Sequence, residues 1–144
     1  MTTDELTNKL KEYDNIDDFI QDNQNNFDED AFCNFLEEML QRKNLNPTKL
    51  ATESGVSVPY TQELFKGRKQ RPRKDILIRL AFGLNLSLDE TNRLLYLGGV
   101  SELRSKLRRE SIIIFCLDKG HGIEEADELL KQYDLYAISD RDKG

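Results

Sequence analysis

Only two cysteines occur in the 144 residues, Cys33 and Cys116, and no metal or redox spacing relates them. That excludes a disulfide framework and a cysteine-based zinc site, and predicts a reducing, cytoplasmic location. Histidine occurs once, as His121 in "KGHGI", with no Cys, Asp or Glu at zinc-ligand spacing around it. No apolar run approaches the ~20 residues that span a bilayer, and the first residues, "MTTDELTNKLKEYDN", lack the apolar core of a secretory signal. A Ser-His-Asp set, a P-loop and a dinucleotide fingerprint are all missing, so the reading is of a non-enzymatic, cofactor-free protein without a membrane partner.

Positive charge is outnumbered overall and concentrated locally. The formal net charge is −6, yet it divides unevenly. Residues 1–30 hold ten acids and two bases (−8), residues 31–99 seven acids and eleven bases (+4), and residues 100–144 ten acids and eight bases (−2). Between positions 66 and 74 lie Lys66, Arg68, Lys69, Arg71, Arg73 and Lys74. Fields are screened over roughly 10 Å, so a basic face can act locally on an acidic chain.

The apolar spacing is helical nearly throughout and predicts an all-α fold. Residues 1–30 read as an acidic N-terminal arm, partly helical or disordered. In it, Leu6, Leu10 and Tyr13 form one short stripe, and Ile16, Phe19 and Ile20 a second that docks on the body. Asp28 or Asp30 is expected to cap a helix carrying Phe32, Phe35, Leu36, Met39 and Leu40. Asn46 caps the next helix, with Pro47 at its first position; Gly55 suits a positive φ, Val56 a buried plug, and Ser57 a further cap. A longer helix runs over Arg73–Leu84, and Ser87 with Glu90 spells a capping box. Shifted by 35 residues, "LSLDETNRLLYLGGV" falls on "HGIEEADELLKQYDL", so residues 100–144 read as a helical extension repeating residues 76–100, with its first helix over Glu102–Leu117. That extension offers a homodimer seam or a surface for a partner protein. Cys116 belongs to its apolar stripe as a buried small hydrophobe, Cys33 to a helix face, and His121 to an exposed loop.

Leu50-Ala51, Gly55-Val56-Ser57, Leu64-Phe65-Lys66-Gly67 and Leu84-Asn85-Leu86-Ser87 together compose two short helices joined by a tight glycine turn and backed by an apolar helix. Over Ala31–Leu97 this pattern resembles the Cro/cI-type helix-turn-helix family, also called the XRE family. The resemblance implies a five-helix lambda-repressor-like domain at residues 31–99, with a second helix near Pro47–Glu53 and a recognition helix at Val58–Phe65. It further implies sequence-specific binding of double-stranded DNA by a transcriptional regulator of repressor type, the recognition helix in the major groove and the basic loop 66–74 on phosphates. Base-reading positions fall on Val58, Pro59, Gln62 and Glu63; backbone contacts on Thr48, Lys49, Tyr60, Lys66, Arg68, Lys69, Arg71, Arg73 and Lys74. Gln62 has the chemistry to pair with adenine and Glu63 to accept from cytosine, whereas Val58 and Pro59 can only touch a thymine methyl. This thin reading surface, with the −8 arm, keeps an alternative open: a protein–protein interaction module on a helix-turn-helix scaffold.

Overall fold

A computed structural model of the chain describes residues 1–67 and 72–139, the side chain of Asn25 excepted. Nine α-helices and one short 3-10 turn (Gln24–Asn26) make up the regular structure of these residues, with no strand among them. The expectation of five helices plus a pair is therefore too simple, because the arm contributes helices of its own.

The arm holds α1 (Thr3–Leu10) and α2 (Ile16–Asp22). Thr2 caps α1 by accepting from the Glu5 N–H at 3.1 Å, and Asn15 caps α2 by accepting from the Asp17 N–H at 2.7 Å. Of the three apolar side chains expected to dock, only Phe19 is buried; Ile16 and Ile20 face solvent. The Phe19 ring meets Tyr13 and Phe27 edge to face, at centroid separations of 5.3 and 6.1 Å. Beside them the buried Asn23 accepts from Lys9 Nζ and donates to the Phe19 carbonyl.

Helix α3 (Asp28–Arg42) corrects a second expectation. Phe27, not Asp28 or Asp30, occupies the N-cap, and no side chain bonds there. Asp28, Glu29 and Asp30 instead lie inside the first turn, where their charge complements the helix dipole. Then follow α4 (Pro47–Ser54), α5 (Val58–Phe65), α6 (Lys74–Gly83) and α7 (Leu88–Leu97). The centre is α6, whose residues Ile76 to Ala81 are all buried. Leu36 and Met39 of α3, Leu50 of α4, Leu64 of α5 and Leu94 of α7 join it in one core. Each such side chain withdrawn from water contributes about 1.5–3 kcal/mol before chain entropy is charged against it.

The last pair is α8 (Arg108–Lys119) and α9 (Ile123–Gln132). The helix expected over Glu102–Leu117 starts six residues late. Side chains of the flanking helices take the backbone donors of this stretch: Asn92 Oδ1 accepts from the Leu103 N–H at 2.9 Å and Glu110 Oε1 from the Arg104 N–H at 2.7 Å. Leu103 itself is buried, so the segment is anchored without becoming helical. From α6 onward, the 35-residue offset extends to backbone detail. Helix α9 sits on α7 residue for residue, and the left-handed residues Asn85 and Gly99 have counterparts in Gly120 and Asp134. The helix-closing bonds Leu86 N–H to Ala81 O (3.0 Å) and Val100 N–H to Leu95 O (3.0 Å) reappear as His121 to Cys116 and Leu135 to Leu130, both 2.9 Å.

Candidate nucleic-acid interface

Local chemistry builds the α4–α5 unit. Asn46 Oδ1 accepts from the Lys49 N–H at 2.8 Å and starts α4, with Pro47 in the first turn where its missing N–H costs nothing. The helix stops at Gly55, whose φ of 73° favours a residue without a Cβ, and whose N–H closes onto the Ala51 carbonyl at 2.9 Å. Val56 drops into the core, and Ser57 Oγ accepts from the Tyr60 N–H at 3.3 Å to start α5. Thr61 and Leu64 bury one side of α5, and the Thr61 hydroxyl is satisfied by the Ser57 carbonyl at 2.9 Å. The opposite side presents Pro59 and Gln62 to solvent.

A residue that sequence reasoning passed over holds the turn. Arg79 of α6 is only 7% exposed. Its Nε donates to the Ser54 carbonyl at 3.2 Å and its Nη2 to the Gly55 carbonyl. Burial pushes its pKa below the usual arginine value, with Asp127 acting in the opposite sense. The guanidinium fork suits two adjacent carbonyls at the end of a helix, where dipole and lone pairs both attract a cation. The available signal was a single cation inside the otherwise apolar "ILIRLAF".

The side chains named for DNA contact fall into four groups. Thr48, Lys49, Pro59, Gln62, Lys66 and Arg73 are exposed. Val58, Tyr60 and Glu63 are half-buried, and Tyr60 packs on the core, which raises its hydroxyl pKa by burial against a lowering pull from Arg73. Lys74 is engaged within the fold, its Nζ donating to Glu110 Oε2 at 2.8 Å, Ser101 Oγ at 2.9 Å and the Glu102 carbonyl at 3.3 Å. Arg68, Lys69 and Arg71 lie outside the described residues.

Residues 36–90, from the middle of α3 to the first turn of α7, match the family model described as Helix-turn-helix. This segment is a helix-turn-helix domain of the XRE/Cro-cI type. Neither the curated proteins nor the solved structures yield a significant match to the chain. Domains of this type are non-catalytic regulators associated with DNA binding. Among the described residues, no group of three or more His, Cys, Asp and Glu could hold a metal ion, and no helix is long and apolar enough to cross a membrane.

Two further contacts brace the helix-turn-helix domain. Cys33 Sγ lies 3.4 Å from the Leu64 carbonyl, so the thiol packs α3 on the end of α5, and burial raises its pKa. That is an unreactive setting. At the start of α6, Asp75 receives both Nη1 (2.9 Å) and Nη2 (3.0 Å) of Arg109, beside the Lys74–Glu110 pair. The two oppositely oriented pairs fasten α8 to the helix that backs α4. His121 proves half-buried, its Nδ1 against Glu125 Oε2, rather than an isolated loop side chain.

Proposed function

We propose that this chain is a cytoplasmic transcriptional regulator of repressor type that binds double-stranded DNA through α5. The observation that carries the reading is the two-sidedness of α5. Thr61 and Leu64 are sunk in the core, while Pro59 and Gln62 stand in solvent beside Thr48 and Lys49 on the adjoining helix. A helix supported in this way enters a major groove by its leading end without disturbing the core. Gln62 is the base-reading side chain, bidentate to adenine, and Pro59 and the exposed part of Val58 touch thymine methyls. Lys49, Lys66 and Arg73, with Arg68, Lys69 and Arg71 of the same basic run, supply phosphate charge; Thr48 and Tyr60 supply hydroxyls. Glu63 accepts from cytosine at the inner edge. Two copies would address half-sites one helical turn apart.

Selection from a random duplex library, followed by titration across salt concentrations, tests the assignment. Lys49→Ala and Lys66→Ala lower affinity on all sequences alike and flatten the salt dependence by about one ion each. Gln62→Ala costs about 1–3 kcal/mol on the selected site only. Equal loss on every duplex removes Gln62 from base reading. No binding at low salt overturns the regulator reading in favour of an interaction module.

A further inference from the structure

The 35-residue offset shows what the last helix pair lacks. Leu77, Leu80 and Leu94 of α6–α7 are wholly buried. Their counterparts in α8–α9 are Ile112 and Leu129, each half-buried, and Phe115, 49% exposed. The first set has a cover: α3 packs against α7, and the space beside Gly98 is closed by Leu77 and by the Phe32 ring of α3. The counterpart of Gly98 is Tyr133, 64% exposed. Among the described residues nothing does for α8–α9 what α3 does for α6–α7. An open groove of about 580 Å³ remains, lined chiefly by Ile112, Phe115, Leu129, Tyr133 and Leu135. The groove thus has the form of a seat for a helix with apolar side chains on one face.

Charge narrows the choice of occupant. Arg108 is the charged side chain of the groove lining; Lys119 Nζ stands 5.8 Å from the centre of the Phe115 ring and is shared with Asp118 at 3.7 Å. Such a site favours an acidic helix. The same chain exposes one. On α2, Ile16 (57% exposed) and Ile20 (46%) lie one turn apart on a single face, among the exposed carboxylates of Asp17, Asp18 and Asp22. Phe19, on the flank of the same stripe, turns inward against Tyr13 and Phe27, while Ile16 and Ile20 stay exposed.

We propose that the α8–α9 groove receives the Ile16–Ile20 face of α2 from a second copy of this chain. Reciprocal exchange closes a twofold dimer in which each acidic arm fills the partner's groove. The assembly does not depend on DNA binding, which the duplex titrations measure separately.

Sedimentation velocity of the full-length chain over a micromolar concentration series is the test, with circular dichroism to verify folding. Wild type is expected to dimerise. Ile16→Asp/Ile20→Asp, which cannot donate an arm, and Phe115→Asp, which cannot accept one, are each expected to remain monomeric. Tyr133→Asp, at a more exposed lining residue, serves as the acceptor variant if Phe115→Asp does not fold. An equimolar mixture of donor-deficient and acceptor-deficient chains is expected to recover a heterodimer through one intact arm–groove contact. Three results overturn the proposal: a monomeric wild type, which leaves the groove to a different protein; a dimer that survives Ile16→Asp/Ile20→Asp, which points to groove-on-groove pairing; and a mixture that stays monomeric.

Discussion

Replacing Arg79 by Met separates the turn clamp from the packing of its aliphatic stem. Methionine retains most of the apolar length but donates nothing to the carbonyls of Ser54 and Gly55, which now receive the Arg79 guanidinium. A hydrogen bond to a charged group contributes about 1.5–3 kcal/mol, and leaving a buried acceptor unpaired costs about 1–3 kcal/mol. The two carbonyls differ. Ser54 is buried, so its oxygen loses its charged donor with little access to water, whereas Gly55 is exposed and water can replace the guanidinium. Against the loss stands the relief of a desolvated cation, visible in the lowered arginine pKa. The balance is a destabilisation of about 2–3 kcal/mol, close to the contribution of one full clamp bond. For a chain of this size that lowers Tm by roughly 6–12 °C. Guanidinium titration should show a lower midpoint at unchanged slope, and amide exchange at Gly55 and Val56 should accelerate beyond the global change. Arg79→Lys, with one point donor for two carbonyls, should fall between wild type and Arg79→Met. A change below about 0.5 kcal/mol, the range of an ordinary surface substitution, with unaltered exchange in the turn, would refute the clamp.

Gly83→Ala places a Cβ 2.9 Å from Ser54 Cβ and 3.1 Å from the Ser54 backbone nitrogen, so α4 and α6 must part. Denaturant titration should show a loss of about 1–3 kcal/mol despite alanine's better helix propensity. Ser87→Ala deletes the cap that accepts from the Glu90 N–H at 3.2 Å, and thermal melting should report a loss of about 1 kcal/mol. Glu90 carries a pH dependence. The Ser87 backbone hydrogen bond first, and Lys43 and Arg42 after it, hold its carboxyl below the usual value of 4.5, with desolvation opposing. Its contribution is complete above that usual value and disappears as pH falls through the lower folded value, so the stability gap between wild type and Glu90→Gln should close on acidification. Glu110→Gln leaves Lys74 without its carboxylate at a site where both side chains are mostly shielded. Urea titration should show a cost of about 1–2 kcal/mol that added salt reduces only slightly.

Much of the local architecture is written in short stretches. Asn46, Ser57 and Ser87 cap the helices that follow them, Gly55 takes the left-handed turn, and Val58–Phe65 is helical with the bounds that the family resemblance implies. These features depend on residues within one turn of each other. The misreadings share a different cause. Asp28 and Asp30 are competent caps, but the aromatic cluster around Phe19 draws Phe27 into the cap position. The stretch 101–107 has helical composition, yet Asn92 and Glu110 take its N–H groups from outside. Lys74 reads as one more cation of a basic run until α8 brings Glu110 to it.

By itself, then, the sequence determined where the helices capped by Asn46, Ser57 and Ser87 begin, that the last helix pair repeats the one before it, and that positive charge gathers after α5, because propensity, capping and periodicity act between near neighbours. Only the tertiary structure decided that Arg79 clamps the turn, that Lys74 is engaged within the fold, that Ile16 and Ile20 face outward, and that the repeated pair is left uncovered. Those outcomes depend on which distant surfaces meet and how far water is excluded between them, and no local pattern of residues encodes either.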